Sequence, residues 1–363
     1  MKQTYFPYCF LLLVCLFSFH LTFGQRLSKP FSFQFEGKTL HGLIETPQEQ
    51  KVSAMVIVIP GYGRTNFVEG QWYSRLRDNL VAAGVSVCLW DKMGCGQSEG
   101  EFNPQQAVEN SAEEALAAIR EIKRLELPGA EKIGLWGLSR AGWICPLINV
   151  LHPVDFWISV SGTNDKENYG YLFASNLRIA GKSEAEVRRL HQTWMQWHRR
   201  YCEGASWEEC REISQPLRED STCQRLFGYK TEPPEDIEAA KSQHKLEQAS
   251  FTSKGYLDEE TGLWVYIPDF DSILLQFQCP VLAIFGENDS QVDWRQTKVL
   301  YEQSIGQQAD SDLTIKTFPA CNHSLQKCVS CAYREDLTAL DWQACDGYYE
   351  AMANWLREKK IVE

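Results

Sequence analysis

The stretch Gly137-Leu-Ser-Arg-Ala-Gly142 decides how this chain is interpreted. It follows a short apolar run that ends at Trp136 and leads into a helix-like segment over 143–151. A serine flanked by small residues at a strand-to-helix turn is typical of a nucleophile elbow, because bulk two positions away would collide with neighbouring backbone. The pattern predicts that Ser139 is a nucleophile, provided that a base accepts its proton.

Apolar strand-like segments alternate with helical patterns on both sides of this stretch. Such alternation predicts an α/β fold with a mostly parallel central sheet and helices on both faces. An antiparallel hairpin over 31–45 precedes it. The predicted strands are 54–59, 85–90, 132–136, 156–160, 281–285 and 313–318, and the predicted helices are 72–83, 107–125, 141–151, 294–304 and 348–359.

The alternation stops over 163–275. This part of the chain is charged, rich in aromatic residues and helix-prone over 183–201, 206–214 and 234–248, and it has no segment of buried-strand character. We therefore expect a helical cap, inserted into a core that is formed by residues 25–162 and 276–363.

Residues 1–24 resemble a signal peptide. Lys2 supplies a positive charge, 10–19 form an apolar segment, and 22–24 offer a small-residue cleavage site. An uncleaved anchor and lipoprotein processing at Cys15 are the alternatives. Export to the periplasm or the medium is the prediction, with no stable membrane insertion after cleavage.

The chain has 13 cysteines, of which 11 (13 − 2) remain once Cys9 and Cys15 leave with the signal. Three lie in predicted core elements: Cys88, Cys145 and Cys279. An oxidising destination favours disulfides among the others, whereas the Cys328-x-x-Cys331 spacing also suits a four-thiolate zinc site, and free thiols are a third possibility. Apart from Cys95, these other cysteines are Cys202, Cys210, Cys223, Cys321, Cys328, Cys331 and Cys345.

The net charge of −12 argues against a nucleic-acid or anionic-membrane partner, because an acidic surface repels phosphate groups. Gly94-x-Gly96 lacks the third glycine of a dinucleotide fingerprint. No cofactor and no catalytic metal are therefore predicted.

Two further loops at predicted strand ends supply partners for Ser139. Asp289 follows the strand 281–285, with Glu287 and Asp293 as rival carboxylates. His323 follows the last strand. Carboxyl ends of parallel strands meet at one sheet edge, and the order Ser, Asp, His is the one that this architecture requires. We expect a catalytic triad.

The loop Pro60-Gly-Tyr-Gly63 follows the strand 54–59. Its glycines would let the Tyr62 N–H point at the nucleophile, so that Tyr62 and Arg140 form a two-donor oxyanion hole. A turn without a catalytic role is the alternative.

Further motifs carry a family resemblance, namely Asp91-Lys-Met-Gly-Cys-Gly-Gln-Ser98, the segment 279–289 and the segment 348–356. With the elbow, they make the chain similar to the α/β-hydrolase superfamily, particularly to exported bacterial esterase-like members related to serine aminopeptidases and dienelactone hydrolases. The resemblance implies Ser139 as nucleophile, His323 as base and Asp289 as its orienting acid. Pro60-Gly61 replaces the common His-Gly pair of the oxyanion loop.

Carboxylic ester hydrolysis is the leading expectation. A peptidase or amidase with the same triad is the alternative, for which Glu203, Glu208 and Glu209 could bind a substrate terminus. The same three glutamates are equally typical of a solvated helix face. A non-catalytic binding protein on the same scaffold is the third possibility.

Aromatic residues of the cap and the elbow are candidates for substrate binding, although most of them are expected to form the core of the cap. The candidates are Trp143, Trp194, Trp197 and Trp264.

Overall fold

The computed structural model describes residues 26–48, 51–104, 106–166, 168–252, 255–308, 312–335 and 343–363. The predicted signal peptide, residues 1–24, lies outside them.

Eight strands form one sheet in the order β1-β2-β4-β3-β5-β6-β9-β10. The β1–β2 hairpin pairs antiparallel with β4 at one edge, and all pairs from β4 to β10 are parallel. The predicted α/β-hydrolase architecture is confirmed. The strands are β1 (Arg26–Phe35), β2 (Lys38–Pro47), β3 (Ala54–Ile59), β4 (Val85–Trp90), β5 (Ile133–Leu138), β6 (Phe156–Val160), β9 (Val281–Gly286) and β10 (Leu313–Phe318).

Strand β5 runs two residues beyond its predicted end at Trp136. It pairs on both sides, Gly137 with Ile59 of β3 and Leu138 with Val160 of β6. Because both neighbours supply hydrogen bonds, the strand continues up to the elbow. The turn at Ser139 is therefore attached to the centre of the sheet.

Helices cover both faces of the sheet, and apolar side chains of the strands are buried on both. One layer of the core lies under the hairpin, α2 and α3, and the other under α1 and α12. The helices of this part are α1 (Ser74–Ala82), α2 (Val108–Arg124), α3 (Ala141–Leu151), α11 (Trp294–Gln303) and α12 (Tyr348–Glu358), with a 3-10 turn at Ile305–Gln307.

Between β6 and β9 the chain is mainly helical. It also contains a small antiparallel pair, β7 (Tyr256–Leu257) and β8 (Trp264–Val265), which the polar, loop-like sequence did not predict. The helices are α4 (Tyr169–Ile179), α5 (Glu184–Cys202), α6 (Trp207–Ile213), α7 (Gln215–Glu219), α8 (Ser221–Phe227), α9 (Ile237–Phe251) and α10 (Phe270–Leu274).

This segment has a small core of its own, which contains Phe173, Leu190 and Trp194. Helix α5 begins with a capping box, in which Ser183 and Glu186 satisfy each other's backbone N–H groups. Its assignment as a cap domain over 163–275 stays a prediction.

Two disulfides join the last four cysteines, Cys321 to Cys345 and Cys328 to Cys331. The zinc alternative is therefore replaced by disulfides. Neither bond includes Cys202, Cys210 or Cys223. In the described part of the chain, no helix combines the length and the apolar character needed to cross a membrane.

Candidate active site

Ser139 stands between β5 and α3 with a φ of 60°, in the left-handed region that few non-glycine residues adopt. The turn is tight. A Cβ at Gly137 would lie 2.7 Å from the Ala141 Cβ, and one at Gly142 would lie 2.7 Å from the Thr163 amide nitrogen. The Ser139 N–H donates to the Val160 carbonyl at 3.0 Å. Close packing therefore imposes the small residues around the serine.

The loop after β3 lies against this elbow. A Cβ at Gly61 would come within 2.9 Å of the Leu138 carbonyl oxygen and 3.9 Å of the Ser139 Cβ. Tyr62 is 68% exposed. Lys92, which follows β4, donates from Nζ to the Gly61 and Gly63 carbonyls at 2.5 and 2.9 Å.

Arg140 contributes more than a backbone N–H. Its guanidinium donates to Ser111 Oγ at 3.1 Å and to the Gln106 carbonyl. Burial lowers the pKa of Arg140 to about 10. The side chain therefore ties the first turn of α3 to the region where α2 begins.

The acid candidate is fixed by backbone donors. Asp289 Oδ1 accepts N–H bonds from Gln291 and Val292 at 2.8 and 3.0 Å, and Oδ2 lies 2.7 Å from His323 Nδ1. Both side chains are buried. Among the residues that the structure describes, the imidazole is the hydrogen-bond partner of Oδ2.

The rival carboxylates have other partners. Glu287 accepts from Thr317 Oγ1 at 2.8 Å, and Asp293 caps α11 through the Arg295 N–H. Of the three candidates, Asp289 is the one that contacts His323.

His323 lies on a loop that interlocks with the Asp289 loop. The Asn288 N–H donates to the Cys321 carbonyl at 3.0 Å, and Ser290 Oγ donates to the Cys331 carbonyl at 2.7 Å. The Cys321–Cys345 disulfide anchors the chain two residues before the histidine. The two loops therefore hold one another.

Ser139, Asp289 and His323 follow the carboxyl ends of β5, β9 and β10, which are parallel strands of one sheet. One strand, β6, separates β5 from β9, so the strands that precede Ser139 and Asp289 are roughly 10 Å apart. Their loops extend from the same carboxyl ends, where side chains can meet across this distance.

The four tryptophans lie in different environments. Trp194 is only 1% exposed in the core of the helical segment over 163–275 (the cap segment, after its predicted role). It lies between Phe173 and His198, which leaves it no surface for a substrate. Trp197 is half-buried and stacks on Tyr201. Trp264 is buried.

Trp143 is buried as well, but it lies next to the elbow. Its Nε1 donates to the Asn164 carbonyl, and its ring centroid is 4.6 Å from that of Tyr266. Trp143 thus links the helix after Ser139 to the cap segment. Its role in substrate binding stays a prediction.

The sequence did not indicate several residues that position the site. Tyr171 donates from its hydroxyl to the Asp289 carbonyl at 2.9 Å, and Asn176 donates to the Ser290 carbonyl at 3.0 Å. Both come from α4, far from the acid in the chain. Lys92 lies inside the motif 91–98, but no residue near it in the sequence indicates that its ammonium group bonds the loop after β3.

The X-Pro dipeptidyl-peptidase (S15) family model matches residues 36–318. The chain belongs to this family. It is therefore a hydrolase of the serine type, acting on ester or peptide bonds. No match was found among curated protein sequences.

Solved structures show the same fold at low identity. An esterase of Pyrococcus furiosus is 10% identical with a TM-score of 0.51, and the alignment covers 92% of this chain and 93% of that one. The proline iminopeptidase of Mycobacterium smegmatis is 14% identical with a TM-score of 0.53, with coverage of 92% and 99%. A thermostable carboxyl esterase of Bacillus coagulans is 14% identical with a TM-score of 0.52 and the same coverage.

Proposed function

We propose that this protein hydrolyses carboxylic esters through an acyl-enzyme on Ser139. His323 accepts the hydroxyl proton as Ser139 Oγ attacks the ester carbonyl, and the Tyr62 and Arg140 N–H groups stabilise the oxyanion. Asp289 keeps the imidazole proton on Nδ1 and stabilises the charged ring. His323 next protonates the leaving alcohol. It then activates the water that releases the acid.

The observation that carries this proposal is the buried hydrogen bond of 2.7 Å between His323 Nδ1 and Asp289 Oδ2. It directs Nε2 of the imidazole away from the acid. Among the described residues this imidazole has no second hydrogen-bond partner, so Nε2 is available to Ser139 in the strained elbow.

Cleavage of a peptide after proline is the second candidate, because the family description names a dipeptidyl-peptidase. Such an enzyme needs carboxylates that bind the ammonium group of its substrate. The three cap glutamates suggested for this task are already paired. Glu203 bonds Arg200, Glu209 also bonds Arg200 at 2.7 Å, and Glu208 bonds Lys241 at 2.7 Å.

The charges next to the oxyanion loop also favour an ester. Lys92 and Arg140 line a small cavity there together with Tyr62 and Gln106. Two cations would repel a substrate ammonium group at this place. A neutral or anionic acyl group meets no such cost.

The first test compares Ser139→Ala with Ser324→Ala, which removes an exposed hydroxyl beside His323. A fluorophosphonate probe should label the wild type and the Ser324 variant at one site and should leave the Ser139 variant unlabelled. Ester turnover by Ser139→Ala should fall by about six orders of magnitude at most, to a residual level. Labelling of Ser139→Ala would overturn the proposal.

The second test decides between ester and peptide. Turnover of p-nitrophenyl esters of graded acyl length should exceed that of Xaa-Pro-p-nitroanilides in kcat/KM. The reverse order would make the dipeptidyl-peptidase the correct function without changing the triad.

Export is part of the proposal. The two disulfides favour an oxidising compartment. Sequencing of the mature amino terminus from secreting cells should place cleavage after residue 24.

A further inference from the structure

Lys92 is a buried cation whose ammonium bonds the backbone of another loop. It follows β4 by two residues and is 7% exposed. Its Nζ donates to the carbonyls of Gly61 and Gly63, and its own N–H donates to Thr65 Oγ1 at 2.8 Å. The whole turn over 61–65 is thus tied to one residue.

The direction of these bonds fixes the direction of the N–H groups. In a trans peptide unit the C=O and the N–H point to opposite sides. Because the Gly61 carbonyl points at Lys92 Nζ, the Tyr62 N–H points away from it. The elbow lies close to Gly61, whose Cβ position is 3.9 Å from the Ser139 Cβ.

The charge of Lys92 is stabilised by carbonyl oxygens and not by a carboxylate. Within the described ranges, Lys92 forms no ion pair. Arg140, just before α3, opposes its charge, while Glu114 of α2 favours it. Tyr62 lines the same small cavity. Glu114 is itself buried, and its carboxylate accepts from Trp90 Nε1 at 2.7 Å.

A buried charge without a counter-ion is costly unless hydrogen bonds stabilise it. Here two carbonyl oxygens do so, and the ammonium in turn polarises both peptide units. A peptide unit polarised at its oxygen is a stronger donor at its nitrogen.

We propose that Lys92 is a positioning residue of the oxyanion hole, which aims and polarises the Tyr62 N–H toward the oxygen that becomes negative when Ser139 attacks. The proposal rests on the proposed function, because it assigns a task within the same reaction. It predicts that the loss of this ammonium lowers kcat more than it raises KM, since the donor acts on charge that develops in the transition state.

Burial, and to a smaller extent repulsion from Arg140, lowers the pKa of Lys92 to about 8. As the pH rises through this value, the ammonium becomes a neutral amine and polarises the peptide units less. Turnover of the wild type should therefore decline on the alkaline side of about 8.

The test uses Lys92→Met, with Lys182→Met as the matched control. Lys182 also makes two hydrogen bonds from a half-buried position, to Asp220 and Glu186, but it does so in the cap segment. Lys92→Met should lose about 10²-fold in kcat with KM nearly unchanged, the effect of losing an oxyanion donor. Lys92→Met should also lose the decline of turnover at alkaline pH. Lys182→Met should keep the wild-type kcat and the alkaline decline.

A second variant covers the case in which Lys92→Met does not fold. Lys92→Arg retains a charge that stays protonated at high pH, so its alkaline decline should move to higher pH or vanish. An unchanged decline in Lys92→Arg, or a Lys92→Met enzyme with wild-type kcat, would overturn the role of Lys92.

Fluorophosphonate labelling separates this failure from a failure of the proposed function. Lys92→Met should still be labelled, more slowly, on Ser139. If Lys92→Met keeps its kcat while Ser139→Ala cannot be labelled, only the role of Lys92 is wrong. If Ser139→Ala is labelled, the nucleophile itself is wrong.

Discussion

The elbow (residues 137–142) and the acid–base loops (residues 286–293 and 321–335) reach the same sheet edge by different physical means. The elbow is shaped by close packing of backbone that leaves no room for side chains at Gly137 and Gly142. The acid–base loops are held by side-chain hydrogen bonds and by disulfides. Adding atoms should therefore harm the elbow, whereas removing hydrogen-bonding groups or disulfides should harm the acid–base loops.

Within this comparison of the two regions, the largest effect is expected from Asp289→Asn. The amide has nearly the shape of the carboxylate, but it no longer stabilises the imidazolium and favours the wrong tautomer. The same change in a Ser-His-Asp protease lowers kcat by about 10⁴-fold, and we expect a fall of this order here. Steady-state hydrolysis of a p-nitrophenyl ester measures it.

Asp293→Asn is the matched control, because it alters a neighbouring carboxylate that caps α11. Asparagine is as good an N-cap as aspartate, so kcat and stability should stay close to wild type. A large loss of kcat in Asp293→Asn, with activity retained in Asp289→Asn, would exchange the two roles.

The next largest effect is expected from removal of a disulfide in the acid–base loops, which should lower the stability of the protein. Loop-closure entropy predicts that replacing Cys321 and Cys345 by alanine lowers the free energy of unfolding by about 3.5 kcal/mol, against about 2 kcal/mol for the pair Cys328 and Cys331. The difference arises because the sequence separations are 24 and 3. Urea unfolding measures both.

The loss of activity should follow the same order, with the larger loss in the variant that lacks Cys321 and Cys345. Cys321 is buried two residues before His323, so its release should lower kcat at temperatures where the fold is still intact. Equal activity of both double variants and the wild type would show that the hydrogen bonds alone hold the histidine loop.

The sequence predicted the elbow better than its partners because the elbow is local. Its small residues and its strand-to-helix setting lie within a few positions, so the pattern identified the turn that the structure contains. The sheet followed as well, since strands buried on both faces are continuously apolar.

The acid–base loops depend on contacts that no short pattern contains. Position after a strand suggested Asp289 and His323, and their hydrogen bond agrees with that choice. The bonds from Tyr171 and Asn176 join α4 to the Asp289 loop, which is far away in the chain. The four cysteines near His323 allow more than one pairing, and their spacing does not select the observed one. Composition alone could not select them.

The smallest of the expected effects tests the elbow by addition. In Gly137→Ala, the new Cβ would lie 2.7 Å from the Ala141 Cβ and 2.9 Å from Cys145 Sγ, so α3 must shift. Overpacking of this kind costs about 1–3 kcal/mol, which thermal unfolding would register. Because Arg140 immediately precedes α3, the shift should displace the Arg140 N–H, and kcat should fall too.

Gly306→Ala provides the comparison, since the added methyl meets nothing closer than 3.4 Å. Its backbone angles suit alanine, so stability should stay near wild type or rise by about 0.4–1 kcal/mol. If Gly137→Ala behaved in the same way, the elbow would have room that its packing does not show. The elbow would then be held by hydrogen bonds rather than by close packing, as the acid–base loops are. The difference between the two regions would disappear.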